Sequence, residues 1–194
     1  MRVSSDAVRA WLFKGLTVEY ALDELERAGM SVRAPTDPQA LQRVMPMEDF
    51  SPDIRRSGMR ALPAYLAFFM LENSARELIV ERLREKHGTD WWVKCATKPV
   101  QKSVTLRQEK EGKNRWHMQR GASEIYYTDF GDLSSLIQNQ WEDFEDLFPD
   151  VDWVLARFKE LESSRNIVAH NNLLDERELD RVKMYLADWV KQVG

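Results

Sequence analysis

The chain has 194 residues, 43% hydrophobic and 31% charged, with 28 Lys and Arg against 32 Asp and Glu and a formal net charge of −4. That length suits one domain, or one domain with an extension, and the apolar share excludes a disordered chain. The net negative charge excludes a polycation built along its whole length for nucleic acid, so an anion site has to be local.

The first residues lack the basic-then-apolar pattern of a signal peptide. Residues 5–28 carry a helical period broken at Gly15, with Thr17 as a cap and Gly29 as a stop. Pro35, Pro38 and Pro46 punctuate residues 30–50, a connector with one short helix from Pro38 to Val44. Ser51-Pro52-Asp53 is a helix start, a cap followed by proline at the first position. The strongest helix is expected from Arg60 to His87, kinked or entered near Pro63 and stopped by Gly88. Its apolar run, Leu62 to Leu71, is ten residues long. A membrane span needs about twenty. The run is therefore a core helix, no membrane partner is expected, and the expected location is the cytoplasm. The single cysteine, Cys95, fits a reducing compartment.

Residues 97–120 hold seven Lys or Arg against two Glu, in contrast to residues 121–194, with seven basic and sixteen acidic groups. Within that basic stretch, Lys113, Arg115, His117 and Arg120 surround Trp116, an interleaving that suits single-stranded RNA. The competing interpretation is a solvated connector, or a segment docking on the acidic half of the same or a partner chain. Ile125-Tyr126-Tyr127 reads as a short strand or extended connector. Helices are then expected from Leu133 to about Phe148, from Val151 to about His170, and from Glu176 to Val193, the last with Asp175 and Glu178 as a capping box. Such a pattern predicts an all-α protein, an antiparallel helical bundle over residues 51–194 with an N-terminal helical extension over residues 1–50.

Elimination narrows the chemistry. The eight glycines form no G-x-G-x-x-G or P-loop, and the three histidines, His87, His117 and His170, lie far apart without a zinc spacing. No cofactor is expected, and no metal site is assigned, although scattered carboxylates leave magnesium open. One segment remains, Arg165-Asn166-Ile167-Val168-Ala169-His170. Arg165 follows Val154, Phe158 and Leu161 at helical spacing, so its guanidinium must be paired or face a cleft. Asn166 and His170 share a face, whereas Arg165 and His170 stand about 140° apart on an ideal helix. They meet on one substrate only if the helix ends near Asn171-Asn172 or if two chains build the site. Histidine moves protons near neutral pH and arginine holds phosphate, a set sufficient to cut RNA without metal. The same loose spacing recurs at Arg82 and His87, where capping of a helix end is the expected role.

Arg165-Asn166-x-x-x-His170 resembles the ribonuclease motif of the HEPN superfamily. The neighbourhood is similar to the branch fused to a PIN-domain RNA-surveillance endonuclease. It includes Leu71-Glu72-x-x-x-Arg76-Glu77-Leu78-Ile79, Gly88-x-x-Trp91-Trp92, Tyr127-x-x-Phe130-Gly131-Asp132-Leu133 and Trp141-x-x-Phe144. The resemblance implies a homodimer with paired motifs lining a shared cleft, a metal-independent endoribonuclease, and a role as a toxin or defence effector with an antitoxin or other protein partner. It implies His170 as acid/base, Arg165 as phosphate clamp, Asn166 as orienting group and Glu72 as helper, with Arg76 beside it on the RNA. Some HEPN toxins carry a tyrosine two residues after the histidine that a partner nucleotidyltransferase modifies; here that position is Asn172. The alternative is a non-catalytic HEPN module binding RNA, a nucleotide or a protein. A purely structural helical subunit, with Arg165 paired internally, is the third reading. Trp91, Trp92, Trp141, Trp153 and Trp189 are expected as core and dimer anchors.

Overall fold

A computed structural model of the chain describes residues 46–114 and 116–193. The helices expected before Gly29, the connector helix from Pro38 to Val44 and Arg115 lie outside the described residues, and with them nearly all of the N-terminal extension. From Ser57 onward the described chain forms one compact unit. It is all-α: six α-helices and three short 3₁₀ turns, with no strand among the described residues.

Helix α1 spans Pro52–His87, with proline at its first position and the Ser51 hydroxyl accepting the Ile54 amide at 3.4 Å. It runs unbroken through Pro63 rather than beginning near it. An interior proline costs about 3 kcal/mol. Here that cost is offset by a buried stripe of Ala64, Ala67, Phe68, Leu71, Glu72, Ala75, Ile79 and Leu83, spaced three and four apart. Gly88 ends the helix at φ +83°, a backbone shape that a residue with a Cβ adopts only at a cost. Helix α2 (Trp91–Cys95) follows at once and sets Trp91, buried, edge-on against Trp92 at 5.5 Å.

Helix α3 (Lys98–Gly112) occupies the stretch distinguished in the sequence only by its basic charge. It buries just Val100 and Val104, too few apolar positions to announce a helix by periodicity. Ile125-Tyr126-Tyr127 belongs to a 3₁₀ turn, Glu124–Tyr127, and not to a strand. Helix α4 is Phe130–Asn139, capped reciprocally by Asp129 and Asp132. It stops well before Phe148 because Asn139 and Gln140 turn to donate to the Cys95 carbonyl, at 3.0 and 3.4 Å. A 3₁₀ turn over Trp141–Asp143 comes next. Helices α5 (Val151–Ala169) and α6 (Glu176–Val193) match expectation, with Asp150 accepting the Trp153 amide at 2.7 Å and Asp175 the Glu178 amide at 2.8 Å.

Helices α5 and α6 run antiparallel. Ser164 donates to Glu178 at 2.7 Å, Tyr185 to Glu160 at 2.6 Å, and Arg157 pairs with Asp188 at 3.0 Å, so one residue number rises as the other falls. The core between the helices holds Leu71, Ile79, Leu83, Leu133, Leu136, Ile137, Phe144 and Val154, all almost completely buried. Each such side chain contributes about 1.5–3 kcal/mol. Phe148, Phe158 and Trp189 pack ring to ring, and the Trp189 indole donates to Ser74 of α1 at 2.9 Å. Trp91 and Trp189 are thus core residues, with Trp92, Trp141 and Trp153 packed at its edge. No helix among the described residues is long and apolar enough to cross a membrane.

Candidate functional site

A cleft of about 570 Å³ opens between α1, the last turns of α5 and the chain from Arg120 to Asp129. Its position follows from α1. That helix buries Phe68, Leu71 and Glu72 toward the bundle, and leaves Tyr65 and Phe69 on the adjoining open side. The cleft lining includes Glu72, Arg76, Arg107, Arg120, Asp129 and Arg165. Three of these four arginines are already paired, Arg76 with Glu72, Arg107 with Asp129 and Asp132, and Arg120 with Glu111, which leaves Arg165 the least engaged cation of the cleft.

Glu72 is the hinge of this arrangement. It is buried and takes an ion pair from Arg76 one turn later, while its other oxygen lies 3.7 Å from Arg165 Nε across the helix interface. Arg76 also donates to the Thr128 carbonyl at 2.9 Å and to Asn73 at 3.2 Å, and its Nε is buried with no partner among the described residues. Arg165 keeps 39% of its side chain exposed. The sequence required this guanidinium to be paired or to face a cleft, and both conditions hold.

Arg107 was not singled out in the sequence, yet it ties the far wall together. It donates to the Tyr127 carbonyl and to Asp129, each at 2.6 Å, and to Asp132. The pair of acidic partners holds its guanidinium charged, against the effect of burial. Burial raises the Asp132 carboxyl pKa, opposed by the Arg107 bond. Burial likewise raises Glu162, with the charges of Asp129 and Asp132 adding to it. A signal for Arg107 was present: Val100, Val104 and Arg107 are spaced as one helical face, so the arginine had to leave the basic surface and turn inward.

The motif histidine sits elsewhere. Helix α5 ends at Ala169, and His170 is its C-cap, at φ −93° and ψ 22°. Asn171 adopts the left-handed conformation at φ 59°, with its amide bonded to the Val168 carbonyl at 2.9 Å; the Asn172 amide bonds to the Ile167 carbonyl at 3.1 Å. This is a Schellman ending, which asparagine tolerates. It leaves Asn166 and His170 exposed and not among the residues lining the cleft. The structure therefore brings Arg165, Glu72 and Arg76 together in one chain and leaves Asn166 and His170 beside them on open surface. Of the basic segment, Arg120 lines the cleft, pairs with Glu111 at 2.5 Å and lies 5.8 Å from the Tyr127 ring centre. Lys113 and His117 are exposed outside it, as are Trp116 and Met118, the latter two almost completely.

Comparison with known proteins follows the same outline. No curated protein and no solved structure matches the chain. The family model described as Swt1-like HEPN matches residues 66–194, a span that holds α1 from Leu66 onward, Glu72, the arginines of the cleft and the whole Arg165–His170 motif. With that match over most of its length, the chain belongs to the Swt1-like HEPN family of all-helical domains.

Proposed function

We propose that this protein is a metal-independent endoribonuclease that acts in the cytoplasm as a homodimer, as a toxin or defence effector. The observation that carries the proposal is the Arg165 guanidinium. It is held on buried Glu72 and presented to an arginine-lined cleft, five residues before an exposed His170. Family membership supports it, because HEPN domains are often ribonucleases.

In this reading the scissile phosphate lies on Arg165, whose remaining N–H groups bond its oxygens and stabilise the charge of the transition state. Glu72 and Arg76 fix the arginine's position. His170 of one subunit takes the proton from the ribose 2′-hydroxyl, and that oxygen attacks the adjacent phosphorus. The 5′-oxygen leaves with a proton supplied by an imidazole, giving a 2′,3′-cyclic phosphate and a 5′-hydroxyl end. Because His170 lies outside its own subunit's cleft, the second copy is what would bring an imidazole to the reacting linkage. Asn166 shares a helix face with His170 and would orient it.

The test is cleavage of RNA by the purified full chain with chelator present. Activity should persist in chelator and fall by about 10²–10⁴-fold in His170→Ala. Cleavage by His170→Ala at the parent's rate would overturn the proposal. The exposure of His170 also favours a second reading, an RNA-binding module without catalysis. That reading is preferred if no RNA is cut while RNA is retained in an Arg165-dependent manner.

A further inference from the structure

The reaction proposed above uses Arg165, His170 and Glu72 but leaves unused the aromatic side chains at the mouth of the same cleft. Tyr65, Phe69 and Tyr126 all line it, and they are 62%, 56% and 44% exposed. Tyr65 and Phe69 are one helical turn apart on α1, so they form one wall. Tyr126 comes from the 3₁₀ turn Glu124–Tyr127 and is seated directly on Gly121. A Cβ built on Gly121 would lie 3.1 Å from Tyr126 Cγ, a tight contact, and 2.7 Å from Cδ2, closer than side chains come, so the ring would have to shift. The glycine is what lets the ring lie down on the backbone. The turn itself is anchored from below, since Ile125 and Tyr127 are buried and the Arg107 guanidinium grips the Tyr127 carbonyl at 2.6 Å.

A firmly held ring, half open to solvent, lines the same cleft as Arg165, whose side chain is 39% exposed and has its carboxylate no nearer than 3.7 Å, so an apolar face and a largely unspent cation share one cleft. A nucleotide has that composition in reverse, a flat base joined to anionic phosphates. An apolar protein segment would not call for the Arg165 guanidinium, and a folded acidic partner would not call for exposed rings beside it. We propose that Tyr126 stacks the nucleobase next to the linkage held by Arg165, with Tyr65 and Phe69 as the facing wall. The cleft then selects RNA whose bases are unpaired. In an A-form duplex the base faces are already stacked on one another and the ring has nothing to receive. This inference rests on the ribonuclease reading for its substrate, but its readout is binding and needs no cleavage.

The experiment measures affinity of the full chain for a fluorescent single-stranded RNA dodecamer made uncleavable by 2′-O-methyl substitution, and for the same strand in a duplex. Parent protein should prefer the single strand. Tyr126→Ala should weaken single-strand binding by about 5- to 150-fold, the worth of one stacked base. Tyr126→Phe, which keeps the ring, should restore it, and Gly121→Ala, which pushes the ring off its seat, should weaken binding as Tyr126→Ala does. A melting temperature shared by Tyr126→Ala and Tyr126→Phe separates lost stacking from lost folding. Equal affinity of parent and Tyr126→Ala would overturn the inference, as would equal binding of single strand and duplex. It is also overturned if Tyr126→Ala or Phe69→Ala turns dimer into monomer in light scattering while affinity stays unchanged, which would give these rings to a second copy. If His170→Ala abolishes cleavage while Tyr126→Ala changes nothing, only the stacking inference fails. If nothing is cut but binding depends on Tyr126, only the ribonuclease reading fails.

Discussion

Two places in this chain carry an arginine followed five residues later by a histidine, and they have opposite fates. At the C-terminal end of α1, Arg82 pairs with Asp146 at 2.7 Å and His87 with Asp143 at 2.6 Å, so both side chains are consumed by carboxylates of one turn. That pair fastens the end of α1 to the segment after α4. At the end of α5, Arg165 has one carboxylate at 3.7 Å and an open cleft beside it, and His170 has no side-chain hydrogen bond among the described residues. Spacing is the same; the neighbours differ. A local motif becomes a site or a staple according to which charges the fold brings against it, and only unspent groups are available for a substrate.

The comparison breaks most visibly in cleavage. His170→Ala should abolish nearly all activity, a loss of about 10²–10⁴-fold, whereas His87→Ala should leave the rate of the folded protein intact in the same chelator-containing assay. If the two variants behave alike, the two histidines do not differ in function. Stability should separate the arginines of the cleft next. Glu72→Ala strands the buried Arg76 charge and should cost about 3–5 kcal/mol in urea unfolding. Arg165→Ala removes a partly exposed group at the edge of the same carboxylate and should cost less than about 1 kcal/mol. A larger loss in Arg165→Ala would make that arginine a structural strut.

On the staple, Asp143→Ala takes the partner from His87 at 2.6 Å and from Lys86 at 3.6 Å. It should lower stability by about 1–3 kcal/mol, again by urea unfolding, without altering cleavage by the folded fraction. The smallest effect concerns pH. Burial, and after it the charges of Asp129 and Asp132, hold the Glu162 carboxyl above the ordinary glutamate range. Between the ordinary value and the raised one the folded chain binds more protons than the unfolded chain, so stability falls as pH rises through that window. Glu162→Gln removes this decline. Its melting temperature should equal the parent's at acid pH and exceed it slightly at neutral pH; a variant less stable at neutral pH would contradict the assigned cause.

Much of the fold was legible because a helix that buries one face must repeat its apolar residues. Val154, Phe158 and Leu161 marked α5, and the Asp175–Glu178 capping box marked the start of α6. Where burial is thin the repeat vanishes: α3 buries two valines amid charge, and nothing local distinguishes it from a solvated connector. Pro63 misled in the opposite direction, since a proline reads as a boundary although the packing beyond it keeps α1 intact. Helix α4 ended early for a reason no window of sequence holds, the donation of Asn139 and Gln140 to a carbonyl more than forty residues away.

The candidate site divides along the same line. The amino-acid sequence by itself determined that Arg165 could not lie free on an apolar face, that Asn171 and Asn172 suit a helix ending beside His170, and that the chain carries a HEPN motif. Only the tertiary structure decided that Glu72 receives Arg165, that Arg107 turns inward to hold the opposite wall, and that Tyr126 lies on Gly121 at the cleft mouth. The physical reason is range. Helix periods and caps are set by residues within a few positions of one another, whereas a charge finds its partner and a ring its seat only after distant segments have packed.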